Sequence, residues 1–196
     1  HIPLGFAFLM KNPRVNWCYE TEADPNMHHR RISWPRGKVV GGTSCINGMV
    51  YIRGQREDYD HWSEMGNAGW SYDEVLPVFK NMEANQIGQS AEYHGFEGEL
   101  SVSEQQDANS VGKVFVAAGQ VVGLPENTDF NGPSQLGLGI YNVKQNRGQR
   151  VSSYTAFLQP VENRSNLTIM THTQVLELDI VDQKVLGLTI EKAGVK

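Results

Sequence analysis

The chain has 196 residues, 39% hydrophobic and 20% charged, a globular composition rather than a disordered one. Seventeen Lys and Arg against twenty-two Asp and Glu leave a net charge of −5, which argues against nucleic acid bound through a broad basic face. No apolar run approaches the ~20 residues of a membrane span, HIPLGFAFLM at the start lacks the basic flank and cleavage site of a signal peptide, and Cys18 and Cys45 are too few for a disulfide framework or a structural zinc site, so a cytoplasmic protein is expected.

Residues 1–54 are rich in Gly, Pro and aromatics, with Pro3, Pro13, Pro25 and Pro35 at even spacing, and read as loops and short extended pieces. Residues 55–84 read as helical. Tyr59, Trp62 and Met65 recur every third residue, Ser71 with Glu74 fits a capping box, and Val75, Leu76, Phe79 and Met82 form a stripe that Pro77 should kink or split. Residues 85–98 form a polar loop, and Leu100 and Val102 a short alternating strand. The clearest helix is Val111–Val122, with Val111, Val114, Phe115, Ala118 and Val122 on one face, Asn109 or Ser110 as cap and Gly123 as terminator. A strand around Ile140–Gln145 and a turn at 146–148 follow. Leu176, Leu178 and Ile180, then Leu186, Leu188 and Ile190, alternate with polar residues about a turn at 182–184, a hairpin with one buried face.

The chemistry concentrates in RGKVVGGTSCINGMVYIRG, Arg36–Gly54. Gly41-Gly42 allows unusual dihedrals and close backbone approach to a ligand. Thr43, Ser44 and Asn47 place small hydrogen-bonding groups beside those amides, and Arg36 and Lys38 add positive charge, a combination that can cradle a phosphate. On these residues alone, a Gly-rich surface turn is the commoner reading.

Other candidates read as structural. His28-His29 adjoin Arg30-Arg31 in a polar loop, His61 lies on a short helix, His94 sits in the YHGFEG turn, and His172 has no carboxylate at ligand spacing. Ser44 and Cys45 stand outside a G-x-S-x-G context with no base indicated. Asn163 and Asn166 head glycosylation triplets, meaningful only in a secreted protein. Glu57, Asp58, Asp60 and Trp62 could meet a quaternary ammonium, a role ranked below a structural one.

Arg36–Gly54 resembles the first signature of the glucose-methanol-choline oxidoreductases, flavoenzymes that use FAD: Gly37, Lys38, an apolar residue, Gly41-Gly42, Thr43-Ser44, Asn47, with Asp58 beyond. NWCYETE and RISWPRGKVV before it, EDYDHW and GWSYDEVLPVFKNME after it, then GQRVSSYTAFLQP and NLTIMTHTQVLEL, resemble further segments of that family in the right order. The likeness is nearest the choline and alcohol dehydrogenase branch.

The resemblance implies a mixed α/β (α+β) fold: part of an FAD/NAD(P)-binding-type domain at 1–98 and 146–196, and part of an antiparallel-sheet substrate domain at 99–145, both incomplete. It implies that the backbone of Gly37, Lys38, Val39 and Val40, the Gly41-Gly42 pair and Thr43 line the FAD, chiefly its pyrophosphate and ribityl chain. Asn47, Gly48, Met49 and Val50 would pass beside the isoalloxazine, Trp17 would lie near the flavin, and Val175 would hold the adenine. Some relatives carry a flavin-linking His where this chain has Ile46, so non-covalent FAD is expected.

The family's GxGxxG is missing; GLGIYN, 137–142, lacks the third Gly and is rejected. The family's catalytic His also has no counterpart here. The expectation is therefore an internal fragment, or one piece of a nicked enzyme, inactive by itself and completed by the remaining segments of the same enzyme. The parent would oxidise a small-molecule alcohol, its proton passing to a base and a hydride to the flavin. The alternatives are a non-catalytic binding module on a flavoenzyme scaffold and a flavin-containing hydroxynitrile lyase.

Overall fold

Proline and glycine through the first 54 residues leave room only for short regular pieces. The computed structural model, which describes residues 3–192, shows a four-residue helix α1 (Phe6–Leu9) and strands β1 (Tyr19–Glu20) and β2 (Ser33–Trp34), antiparallel with Tyr19 opposite Trp34. The described residues fall into two units, one ending at Gln159 and the other beginning at Pro160.

In the first unit, α2 (Arg56–Glu64) starts at Gln55, whose amide donates to the Asp58 carboxylate at 3.0 Å. Helix α3 (Tyr72–Met82) starts from the expected capping box, Ser71 with Glu74. It runs through Pro77 without a break; the division of residues 55–84 falls instead at 65–71, before the second cap. The two helices meet through aromatic rings: Tyr59 lies 5.7 Å from Phe79 and 6.2 Å from Tyr72.

Strand β3 (Glu83–Asn85) follows α3 directly and pairs in parallel with β4 (Leu100–Val102), which buries Val102 completely. The YHGFEG loop between them folds back on the end of α3, and only glycine fits there. A Cβ at Gly95 would sit 1.8 Å from the Lys80 carbonyl oxygen, and one at Gly98 2.3 Å from Met82 backbone.

Helix α4 (Ser110–Val121) is capped by Asn109, whose side chain accepts from the Val111 amide at 2.8 Å, and ends before Gly123 at φ +89°. It packs through its glycine side, with Gly119 against Leu138. The apolar face read from the sequence is therefore not its buried face: Val111, Val114, Phe115 and Val122 are 65–76% exposed. The strand expected at Ile140–Gln145 is reduced to single bridges from Val143 to Val50 and to Ser103. Strands β5 (Gln145–Asn146) and β6 (Gln149–Arg150) then form a hairpin turned by Arg147 and Gly148, both at positive φ as a type I′ turn requires. A π-helical turn, Tyr154–Leu158, closes the unit.

The second unit is a hairpin of β7 (Thr173–Val181) and β8 (Lys184–Lys192), joined at Asp182-Gln183 as the sequence pattern indicates. The expected buried face is exposed: Leu176, Leu178, Ile180, Leu186 and Leu188 all remain open, and no second layer covers them among the described residues of this unit.

Candidate functional site

The Gly-Gly pair converts an extended approach into a tight turn. Residues 15–17 and 36–38 run side by side, with Trp17 N donating to Arg36 O at 2.9 Å and Lys38 N to Val15 O at 2.7 Å. Gly41 and Gly42 then adopt φ +96° and +57° and open a short 3₁₀ turn, Gly42–Cys45. Two of the glycines serve the turn itself. A Cβ at Gly37 would strike the Gly42 carbonyl at 2.2 Å, and one at Gly41 would meet Cys45 Sγ at 2.8 Å. The Thr43 hydroxyl is also used internally, accepting from Gly37 N at 3.2 Å.

What this turn leaves open is informative. The amides of Val39, Val40 and Gly41 have no acceptor among the described residues. Positions for a Cβ on Gly42 and Gly48 meet nothing within 4 Å. Val39, Val40 and Val50 are 38–42% exposed. Lys38 holds its ammonium over the Trp17 ring, 4.5 Å from the centroid. Consecutive free amides suit an anion or a polar ligand edge, and the neighbouring valines suit an apolar surface.

Beyond the turn, the chain is locked from behind. Arg150 donates through Nη1 to Ser44 O and to Asn47 Oδ1, each at 3.1 Å, and the Ser44 hydroxyl accepts from Ser153 N at 2.8 Å. Asn47 Oδ1 also accepts from the amide of Met49, which adopts a left-handed φ of +66°. Ile46 and Met49 turn their side chains into the core. Lys144 N donates to Met49 O and Tyr51 N to Asn142 O, both at 2.9 Å. Burial and the nearby Arg150 hold the Lys144 pKa below its ordinary value.

Three residues further on lies a buried charged cluster. Arg53 pairs with Glu83, and its Nη1 donates to Tyr93 O at 2.7 Å. His94, 1% exposed, directs Nδ1 at Glu83 Oε1 at 2.8 Å and Nε2 at the Asp129 carboxylate at 3.0–3.1 Å. Burial acts against its charged form, but the hydrogen bonds to Asp129 and Glu83 prevail and raise its pKa to about 9, so both ring nitrogens donate. Burial pushes the Asp129 carboxyl up, yet the His94 contact wins and holds it below its ordinary value.

The eleven expected site positions from Gly37 to Val50 thus lie along one turn and its exit, while Val175 lies on β7 in the other unit. Met49 can offer only backbone to a ligand there, because its side chain is buried. Sequence reasoning missed Arg150 and the Arg53–Glu83–His94–Asp129 cluster. The former had one available signal, a cation beside the turn at 146–148; His94 was read only as part of a structural turn.

Residues 18–196 match the family described as GMC oxidoreductase. An alcohol dehydrogenase (acceptor) of Pseudomonas putida is 42% identical over 189 residues, covering 96% of this chain and 34% of that protein. An oxygen-dependent choline dehydrogenase of Rhizobium etli is 39% identical over 193 residues, covering 98% of this chain and 35% of that protein. Among solved structures, pyridoxine 4-oxidase from Mesorbium loti is similar at a TM-score of 0.88 and 31% identity, over 98% of this chain and 38% of that one. An FAD-dependent oxidoreductase from Chaetomium thermophilum, 24% identical, shares the fold at a TM-score of 0.82 over 93% of this chain and 34% of that one. The chain spans about a third of the length of the curated relatives it matches.

Proposed function

Because the chain belongs to the GMC oxidoreductase family, we propose that it supplies part of the FAD site of an enzyme that oxidises an alcohol CH–OH group. Family membership implies FAD, and the observation that carries the assignment is the open side of the turn: three amides without acceptors beside two glycines whose missing side chains face empty space. The residues fit the group. Val39, Val40 and Gly41 have amides to offer phosphate oxygens, the bare Gly42 and Gly48 admit close approach, and exposed Val50 offers apolar contact.

Bound FAD supplies the hydride acceptor, and the protein supplies binding, orientation and exclusion of water. Within this chain, Gly37 and Thr43 maintain the turn and Lys38 adds a positive charge braced on Trp17, while the backbone of Gly48, Met49 and Val50 would lie beside the flavin ring. Val175 is assigned to the adenine end. Ile46 has no nucleophile and is buried, which supports non-covalent binding. No residue here is assigned as the base: His94 has both nitrogens committed to carboxylates, and the base is expected from the remaining segments of the enzyme. Residues 1–98 and 146–196 are assigned to the FAD-binding region and 99–145 to the substrate side, with a small primary or secondary alcohol as substrate and a cytoplasmic setting. Among the described residues no helix is long and apolar enough to cross a membrane.

The test is the protein expressed from its complete coding sequence. A flavin absorption spectrum at near one flavin per chain, alcohol-dependent dye reduction, and full release of the flavin on acid precipitation are expected. A colourless protein overturns the reading in favour of a non-catalytic module; yellow colour held on the precipitate overturns non-covalent binding.

A further inference from the structure

Arg150 is 6% exposed, yet the described residues provide no carboxylate to pair with it. Its Nη1 is shared between Ser44 O and Asn47 Oδ1, and its Nη2 is buried without a hydrogen-bond partner among the described residues. Burial of an uncompensated cation is expensive, and an apolar side chain of similar volume would be the cheaper filling for a position with a purely packing role. Burial accordingly lowers its pKa from the ordinary arginine value.

The two acceptors it holds are the informative part. Ser44 lies in the 3₁₀ turn, and Asn47 is the residue whose Oδ1 also receives the amide of left-handed Met49. A non-glycine residue at φ +66° is strained and persists only where its surroundings over-determine it. Arg150, Asn47 and Met49 form a relay that fixes the backbone on which the exposed residues Gly48 and Val50 lie.

We infer that Arg150 is a positioning residue for the cofactor, holding the Asn47–Val50 backbone in its binding geometry through Asn47 while keeping an unneutralised positive charge behind it. This rests on the flavin reading above. The guanidinium reaches both acceptors from one nitrogen and leaves the second unspent. A lysine keeps the charge as a point donor, but its shorter, differently shaped stem does not place the ammonium where Nη1 meets both acceptors.

The experiment uses the protein expressed from its complete coding sequence, as wild type, Arg150→Met and Arg150→Lys. Flavin dissociation constant, visible circular dichroism of the bound flavin and its reduction potential are measured beside thermal unfolding. Arg150→Met should bind flavin roughly tenfold or more weakly, as expected for loss of charge-assisted hydrogen bonds, with altered visible dichroism and a more negative potential. Arg150→Lys should return the potential toward wild type while affinity and dichroism stay perturbed, a split that a packing role alone would not produce. If Arg150→Met does not fold, Arg150→Lys decides by the same three readouts. A yellow wild type beside variants with unchanged affinity, dichroism and potential overturns this inference alone. A colourless wild type overturns the flavin reading and this inference with it.

Discussion

Replacing His94 with Gln removes a charge from the centre of the buried cluster while keeping a donor of similar size. A histidine pKa raised from 6.5 to about 9 in the fold corresponds to roughly 3 kcal/mol of stability. Because the folded value is the higher one, that contribution is complete below about pH 6.5 and is lost as pH rises through about 9. Asp129 runs the other way: its folded pKa is depressed, so its share is present above the ordinary value of 3.8 and fades as pH falls through the lower folded value. In His94→Gln, the Glu83 carboxylate keeps Arg53, but Asp129 loses its charged partner. Breaking a fully buried pair costs about 3–5 kcal/mol, and the 21% exposure of the Asp129 side chain puts this one at the low end. For a chain of this size ~3 kcal/mol is a drop of about 6–12 °C in the thermal midpoint. The assay is thermal unfolding by circular dichroism of wild type and variant at pH 6.5 and pH 9.5. The gap should be large at the lower pH and much smaller at the higher one. Tyr51, beside Arg53, does not blur the window, since burial pushes its pKa above the usual tyrosine value. An equal gap at both pH values would refute a charged His94.

Gly42→Val should lose flavin retention, and it should also cost about 1–3 kcal/mol of stability because a β-branched residue is strained at φ +57°. Gly48→Val separates the two effects: its position has ordinary φ and empty space, so the thermal midpoint should hold while flavin stoichiometry collapses. Normal stoichiometry in the Gly48 variant would reject the assigned role of the turn. Gly95→Ala should destabilise by several kcal/mol, because the added methyl would overlap the Lys80 carbonyl and backbone must move; a midpoint within 2 °C of wild type (about 1 kcal/mol) would show that the loop yields instead.

What could be read in the sequence was what is encoded locally. The Gly41-Gly42 turn, the Ser71–Glu74 and Asn109 caps, the Gly123 stop and the two hairpin turns each need a particular residue type within a few positions, and each formed. The charged cluster was not legible because its members come from four separated stretches. Arg53 follows the turn, Glu83 starts a strand, His94 is presented by a loop between two parallel strands, and Asp129 lies beyond a helix. Nothing in the spacing of two carboxylates, an arginine and a histidine announces that they meet.

The apolar faces of α4 and the β7–β8 hairpin failed for a different reason. Their periods are correct, and helix and strands form where the periods place them. A period reports which side of an element is apolar and is silent about what lies against that side. On α4 the close approach available to Gly119 lets Leu138 pack there, so the helix docks by its smallest residue while Val111, Val114 and Phe115 stay open. In the hairpin no facing layer is present among the described residues of its own unit. Where such exposed apolar residues form one large patch, folded proteins commonly use it as a contact surface. The half-exposed valines of the glycine turn obey the same logic on a smaller scale. There the free amides and bare glycines beside Val39, Val40 and Val50 add a polar specification, and that addition lets the turn, unlike α4 or the hairpin, be assigned a ligand chemistry.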